Sequence, residues 1–65
     1  METIYVMVFD RMEWEDLELF TTLNDAIEAS IKNPEVRVEI FCKKGSKFLP
    51  SYNYYKNGEL IVNNI

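Results

Sequence analysis

Hydrophobic and polar residues alternate through "TIYVMVF", a β-rich run that predicts a strand over residues 3–9. "LELFT" alternates again and predicts a second strand at about 16–21, with "RMEWED" as the polar connection of a hairpin between the two. The period then changes. Leu23, Ala26, Ile27, Ser30 and Ile31 fall at i, i+3, i+4, i+7 and i+8, which is one stripe of an amphipathic helix over residues 23–32. Thr22 is placed to cap its start, with Asp25 three residues on where the helix dipole favours negative charge. Asn33 is suited to a left-handed stop, and Pro34 forbids continuation.

"EVRVEIFCKK" returns to alternation, with Val36, Val38, Ile40 and Cys42 on one face and Arg37, Glu39, Phe41 and Lys43 on the other. Lys44-Gly45-Ser46 reads as a turn. Asn57-Gly58 is a type I′ hairpin signal, because both central residues must take positive φ, and strands at about 51–56 and 59–63 should flank it. Pro50 cannot donate to a ladder, so it marks a strand entry or an edge.

The order ββαβββ describes one small α+β domain over residues 1–65: a mostly antiparallel sheet with a single helix on one face. The aliphatic set Ile4, Val6, Val8, Leu17, Leu19, Val36, Val38, Ile40, Leu60 and Val62 matches the helix stripe and is expected to form the core. The reverse face then receives Tyr5, Met7, Phe9, Phe20, Phe41 and Ile61. One helix cannot cover both sides, so this second face is expected to be an oligomer or partner interface.

Composition narrows the chemistry. With no histidine and a single cysteine, Cys42, an intramolecular disulfide is excluded and a structural zinc site is not expected. Cys42 falls on the inward side of its strand and reads as a small core residue rather than a nucleophile. The two glycines both sit at turns, so there is no phosphate-cradling loop. No metal, cofactor or catalytic residue is expected, and the chain is read as a non-enzyme. No apolar run is long enough to span a bilayer and no leader pattern is seen, so a soluble cytoplasmic protein is the expectation.

Charge is unevenly laid out. Residues 1–30 carry eight acids and one base, net −7; residues 31–65 carry six bases and three acids, net +3. That balance argues against direct nucleic-acid binding. Asp10, Glu13, Glu15, Asp16 and Glu18 surround Trp14, the only tryptophan. The spacing does not match a calcium loop, and nothing in it implies a pocket that would make one carboxyl a general acid. Two readings remain: a solvated turn, or a recognition surface with Trp14 as anchor and Glu13, Glu15 and Asp16 meeting a basic partner. Tyr52, Tyr54 and Tyr55 form a second candidate contact set. Alternation would put Tyr52 and Tyr54 on one face and Tyr55 on the other, so at least one of them should be structural.

The functional expectation is a small protein-binding module that occupies a basic surface of a partner. In size and charge the chain resembles small acidic phage-encoded inhibitors, a likeness of type that covers no motif. The alternatives are a structural or regulatory homo-oligomer built through the outer sheet face, and a small-ligand-sequestering oligomer with tyrosines and asparagines around a pocket between subunits.

Overall fold

A computed structural model of the protein describes residues 2–63. Strand β1 spans Thr3–Val8, and a 3-10 turn, Trp14–Asp16, precedes β2 at Glu18–Phe20. Helix α1 covers Leu23–Lys32, and β3 (Arg37–Lys44), β4 (Lys47–Lys56) and β5 (Glu59–Ile61) complete the chain. All pairings are antiparallel and the sheet order is β2-β1-β3-β4-β5. The fold is α+β, as the sequence pattern implies.

Local signals explain most element ends. Thr22 has extended φ/ψ and its side chain accepts a hydrogen bond from the Asp25 N–H at 3.3 Å, satisfying one of the orphan donors of the first helical turn. At the other end the Asn33 cap is not left-handed: its φ is −127°. Asn33 stops the helix by another route, donating both its backbone N–H (3.1 Å) and its side-chain amide (3.0 Å) to the Ala29 carbonyl. Pro34 then blocks propagation. Asn57 and Gly58 take φ of 53° and 80°, as a type I′ turn demands. Gly45, at φ 62°, opens the tight turn between β3 and β4.

Residues directly opposite one another in adjacent strands share a face. By register, Tyr5, Met7, Phe20, Val38, Ile40, Tyr55 and Leu60 lie on one side of the sheet. Ile4, Val6, Val8, Leu19, Phe41, Tyr54 and Ile61 lie on the other. The helix packs on the first side: Ala26, Ala29 and Val38 form the buried cluster, with Tyr5, Phe20 and Tyr55 packed against it.

This reverses the expected orientation of β1 and β2. Tyr5, Met7 and Phe20 do not line an outer face; they meet the helix, and Met7 is buried. Ile4, Val6, Val8 and Leu19 are not core but open-face residues. Leu60 and Val62, also expected inside, are exposed. Phe9 follows the end of β1 and is half-buried. Val36 and Val38 are buried as expected, and Phe41 and Ile61 lie on the open side as expected.

The physical reason lies in the helix. Its buried residues are Ala26, Ala29 and Ser30, all small, while Leu23 and Ile31 stay largely exposed at the margins. A small-residue stripe lets the helix axis come close to the sheet and leaves room for large side chains on either side of the contact. Val38 lies fully buried beneath it, and Tyr5, Phe20 and Tyr55 pack against that contact.

Ser30, fully buried, ties this layer together. Its hydroxyl donates to the Ile27 carbonyl at 2.7 Å and accepts from the Gly58 N–H at 2.9 Å, linking α1 to the β4–β5 hairpin. There the glycine is required twice, by its positive φ and by contact: a Cβ would sit 3.0 Å from Ile31 Cγ1.

Candidate recognition surface

The acidic connection is an ordered structure. After β1 the chain reverses at Arg11, whose φ is 63°, and enters the 3-10 turn. The turn is closed by Asp16 N–H to the Glu13 carbonyl at 2.9 Å and Leu17 N–H to the Trp14 carbonyl at 3.2 Å. The Asp16 carboxylate turns back to accept the Glu13 N–H at 3.0 Å, as an acid at the third position of a capped turn does. Asp16 therefore has a structural role as well as a charge.

Trp14 sits at the head of this turn and is 83% exposed. Tryptophan is among the largest apolar side chains, and one standing this free in water has found no place in the fold. Around it, Asp10, Glu13, Glu15, Asp16 and Glu18 are all exposed. Among the described residues none of the five joins an ion pair; the three ion pairs present are Lys32–Glu28, Arg37–Glu39 and Lys43–Glu2. Arg11 is the one base in this stretch, so residues 10–18 keep five acids against one base.

The same edge continues onto the helix side. Glu18, Asp25 and Glu28 rim a shallow groove of 320 Å³ between β2 and α1, with Met7, Phe20 and Ala29 in its floor and Lys32 and Asn33 at its end. Lys32 is held by Glu28 at 2.6 Å, and that bond and charge raise the lysine's pKa. The sequence reading did not link Asp25 and Glu28 to the acidic loop. The available signal was the antiparallel return of β2, which sets Glu18 opposite Met7 on the helix side.

The three hairpin tyrosines do not form one surface. Tyr55 packs on the core, Tyr54 lies on the open face opposite Glu39 and Ile61, and Tyr52 projects into solvent. Between Pro50 and Tyr54 the pairing register with β3 shifts by two residues, and within that irregularity Tyr52 takes φ 68°. Ser51 pins the irregularity, donating to the Ile40 carbonyl at 2.7 Å and accepting the Asn53 N–H at 3.2 Å. The sheet order also keeps the two candidate contact sets apart, Trp14 beside the β2 edge and the tyrosines on β4.

Chemistry elsewhere is sparse. Among the described residues no three Cys, Asp or Glu side chains converge in a way that could hold a metal ion. Cys42 is a free, half-buried thiol beside Lys44, Leu49, Pro50 and Ser51, rather than a fully enclosed core residue. No helix among the described residues is long and apolar enough to cross a membrane. Comparison with protein-family models finds no match, and searches of the curated proteins and of the solved structures likewise return none.

Proposed function

We propose that the protein is a non-enzymatic binding module that occupies a basic surface of a partner protein, in the manner of a small inhibitor, with Trp14 as its apolar anchor. The carrying observation is the 83% exposure of Trp14 on a hydrogen-bonded turn whose surrounding carboxylates have no cationic partners among the described residues. A fixed turn spends little conformational entropy on binding. Unpaired carboxylates steer a cationic surface toward it, and a desolvated indole supplies the slow off-rate. A cytoplasmic setting belongs to this reading, since a lone unpaired thiol persists most readily under reducing conditions.

The test is affinity capture with three baits: the native chain, Trp14→Ala, and a triple variant with Glu13, Glu15 and Asp16 all changed to lysine. Each is run at low and high salt with circular dichroism confirming the fold. A partner retained by the native chain at low salt, and lost with either variant and with added salt, supports the proposal. Identical capture by all three baits refutes it.

A further inference from the structure

We propose that the open face of the sheet is a homodimer interface, with a second copy of this chain packed sheet against sheet. The inference stands on a different surface from the Trp14 turn and does not depend on it.

Ile4, Val6, Val8, Leu19, Phe41, Tyr54 and Ile61 share this face, and the one α-helix among the described residues packs on the opposite side. Leu19 is 51% exposed at the β2 edge, and the rest are half-buried.

Charge balance on this face argues for a second copy over a charged partner. Arg37 pairs with Glu39 at 2.6 Å and Lys43 with Glu2 at 3.1 Å, and Lys56 stands opposite Glu59. The face thus carries apolar side chains around a central Arg37–Glu39 pair, with Glu39 between Val6 and Tyr54, and its charges neutralise one another. It has no surplus charge to select an oppositely charged protein, and none to repel its own image.

Size agrees. The five strands hold 6, 3, 8, 10 and 3 residues. At about 3.4 Å per residue and about 4.8 Å between strands they offer a footprint of about 500 Å². That is about a tenth of the 4908 Å² accessible surface, the share a specific association uses. Two copies bury about 1,000 Å² together, the low end of specific interfaces, so the dimer is expected to be reversible at micromolar concentration.

A twofold axis lying between the sheets and parallel to the strands over β3 is the arrangement that fits. It sets each copy's acidic β2 edge across from the partner's β5 edge and away from the partner's own acidic loop. An axis across the strands would stack β2 on β2 and bring two acidic edges together.

The test is light scattering of the intact chain from 5 to 500 μM, together with Leu19→Lys and Tyr54→Lys on the open face and Ile31→Lys on the exposed margin of the helix. The expected mass rises from 7.7 kDa toward twice that value with concentration, and does so equally at low and high salt. Either open-face variant should raise the dissociation constant at least tenfold, while Ile31→Lys leaves it unchanged. A native chain that stays at 7.7 kDa at 500 μM overturns the proposal, whatever the variants do. So does a dimer that survives both folded open-face variants or is broken by Ile31→Lys.

Discussion

Replacing Ser30 by alanine should cost about 1–2 kcal/mol of stability. Two hydrogen bonds are lost, with different consequences. The Ile27 carbonyl, which accepted from Ser30 Oγ at 2.7 Å, keeps the ordinary helical bond from residue 31 and is not orphaned. The Gly58 N–H, in a half-buried residue, has the serine oxygen at 2.9 Å as its partner across 28 positions of chain. An orphaned buried donor costs about 1–3 kcal/mol. Against this, alanine is a better helix former than serine by about 0.5 kcal/mol. The cavity left by one oxygen atom is too small to add much. For a domain of this size 1 kcal/mol moves Tm by about 4–8 °C, so the fall should be about 5–15 °C. Urea denaturation should show a lowered midpoint with an unchanged slope, because the compactness of neither state is altered. Amide exchange supplies a sharper reading: the Gly58 N–H should lose protection by more than its neighbours in β4. A Ser30→Ala variant within 0.3 kcal/mol of the native chain, with Gly58 still protected, would show that the helix and the last hairpin are not joined through this hydroxyl.

Gly58→Ala and Gly45→Ala both force alanine to positive φ and should each cost about 1 kcal/mol. Gly58→Ala should cost more, because its Cβ meets Ile31 whereas nothing lies within 4 Å at Gly45, and adding Ile31→Ala should remove that excess in urea titrations. Tyr52→Gly should leave stability unchanged or raise it by up to about 1 kcal/mol, since φ 68° strains a tyrosine and not a glycine; a loss in thermal melts would contradict this. Glu28→Gln should lower the Lys32 pKa toward its ordinary value, read from the NMR shift of its ε-methylene against pH. Because the pair raises the folded-state pKa, its contribution is present below pH 10.5 and fades as pH climbs through that raised value; full exposure keeps the effect small.

The elements that announce themselves locally were legible in the sequence: the Thr22–Asp25 cap, the Asn57-Gly58 turn, and the alternation of β1 and β3. The choice of face was not. Both sides of β1 are apolar, Ile4, Val6 and Val8 on one and Tyr5, Met7 and Phe9 on the other, so period-2 patterning carries no preference between them. The deciding information is volume: Ala26, Ala29 and Ser30 make the helix underside shallow, so it seats on Val38 while the larger Tyr5, Phe20 and Tyr55 pack against that contact. Hydrophobicity alone had pointed to Leu23 and Ile31. The irregularity at Tyr52 was hidden for a related reason. Its cause is a register shift opposite Ile40, a property of two strands together that neither strand's own sequence displays.

That packing choice has a consequence for what the surface can do. Had the aliphatic side faced the helix, the reverse side would have shown phenol and thioether groups, which suit adaptable contact with varied partners. The side left open is instead mainly β-branched and leucine residues. Such side chains lose little rotamer freedom on contact and offer few polar atoms, so they pack best on a surface as dry and regular as themselves. The aromatic and acidic groups suited to a charged, irregular partner are concentrated at the Trp14 turn, beyond the β2 edge. The two surfaces thus differ in the occupant each would select. Salt should separate them in a single titration, weakening contact through the carboxylates and leaving contact through Val6, Leu19 and Phe41 intact.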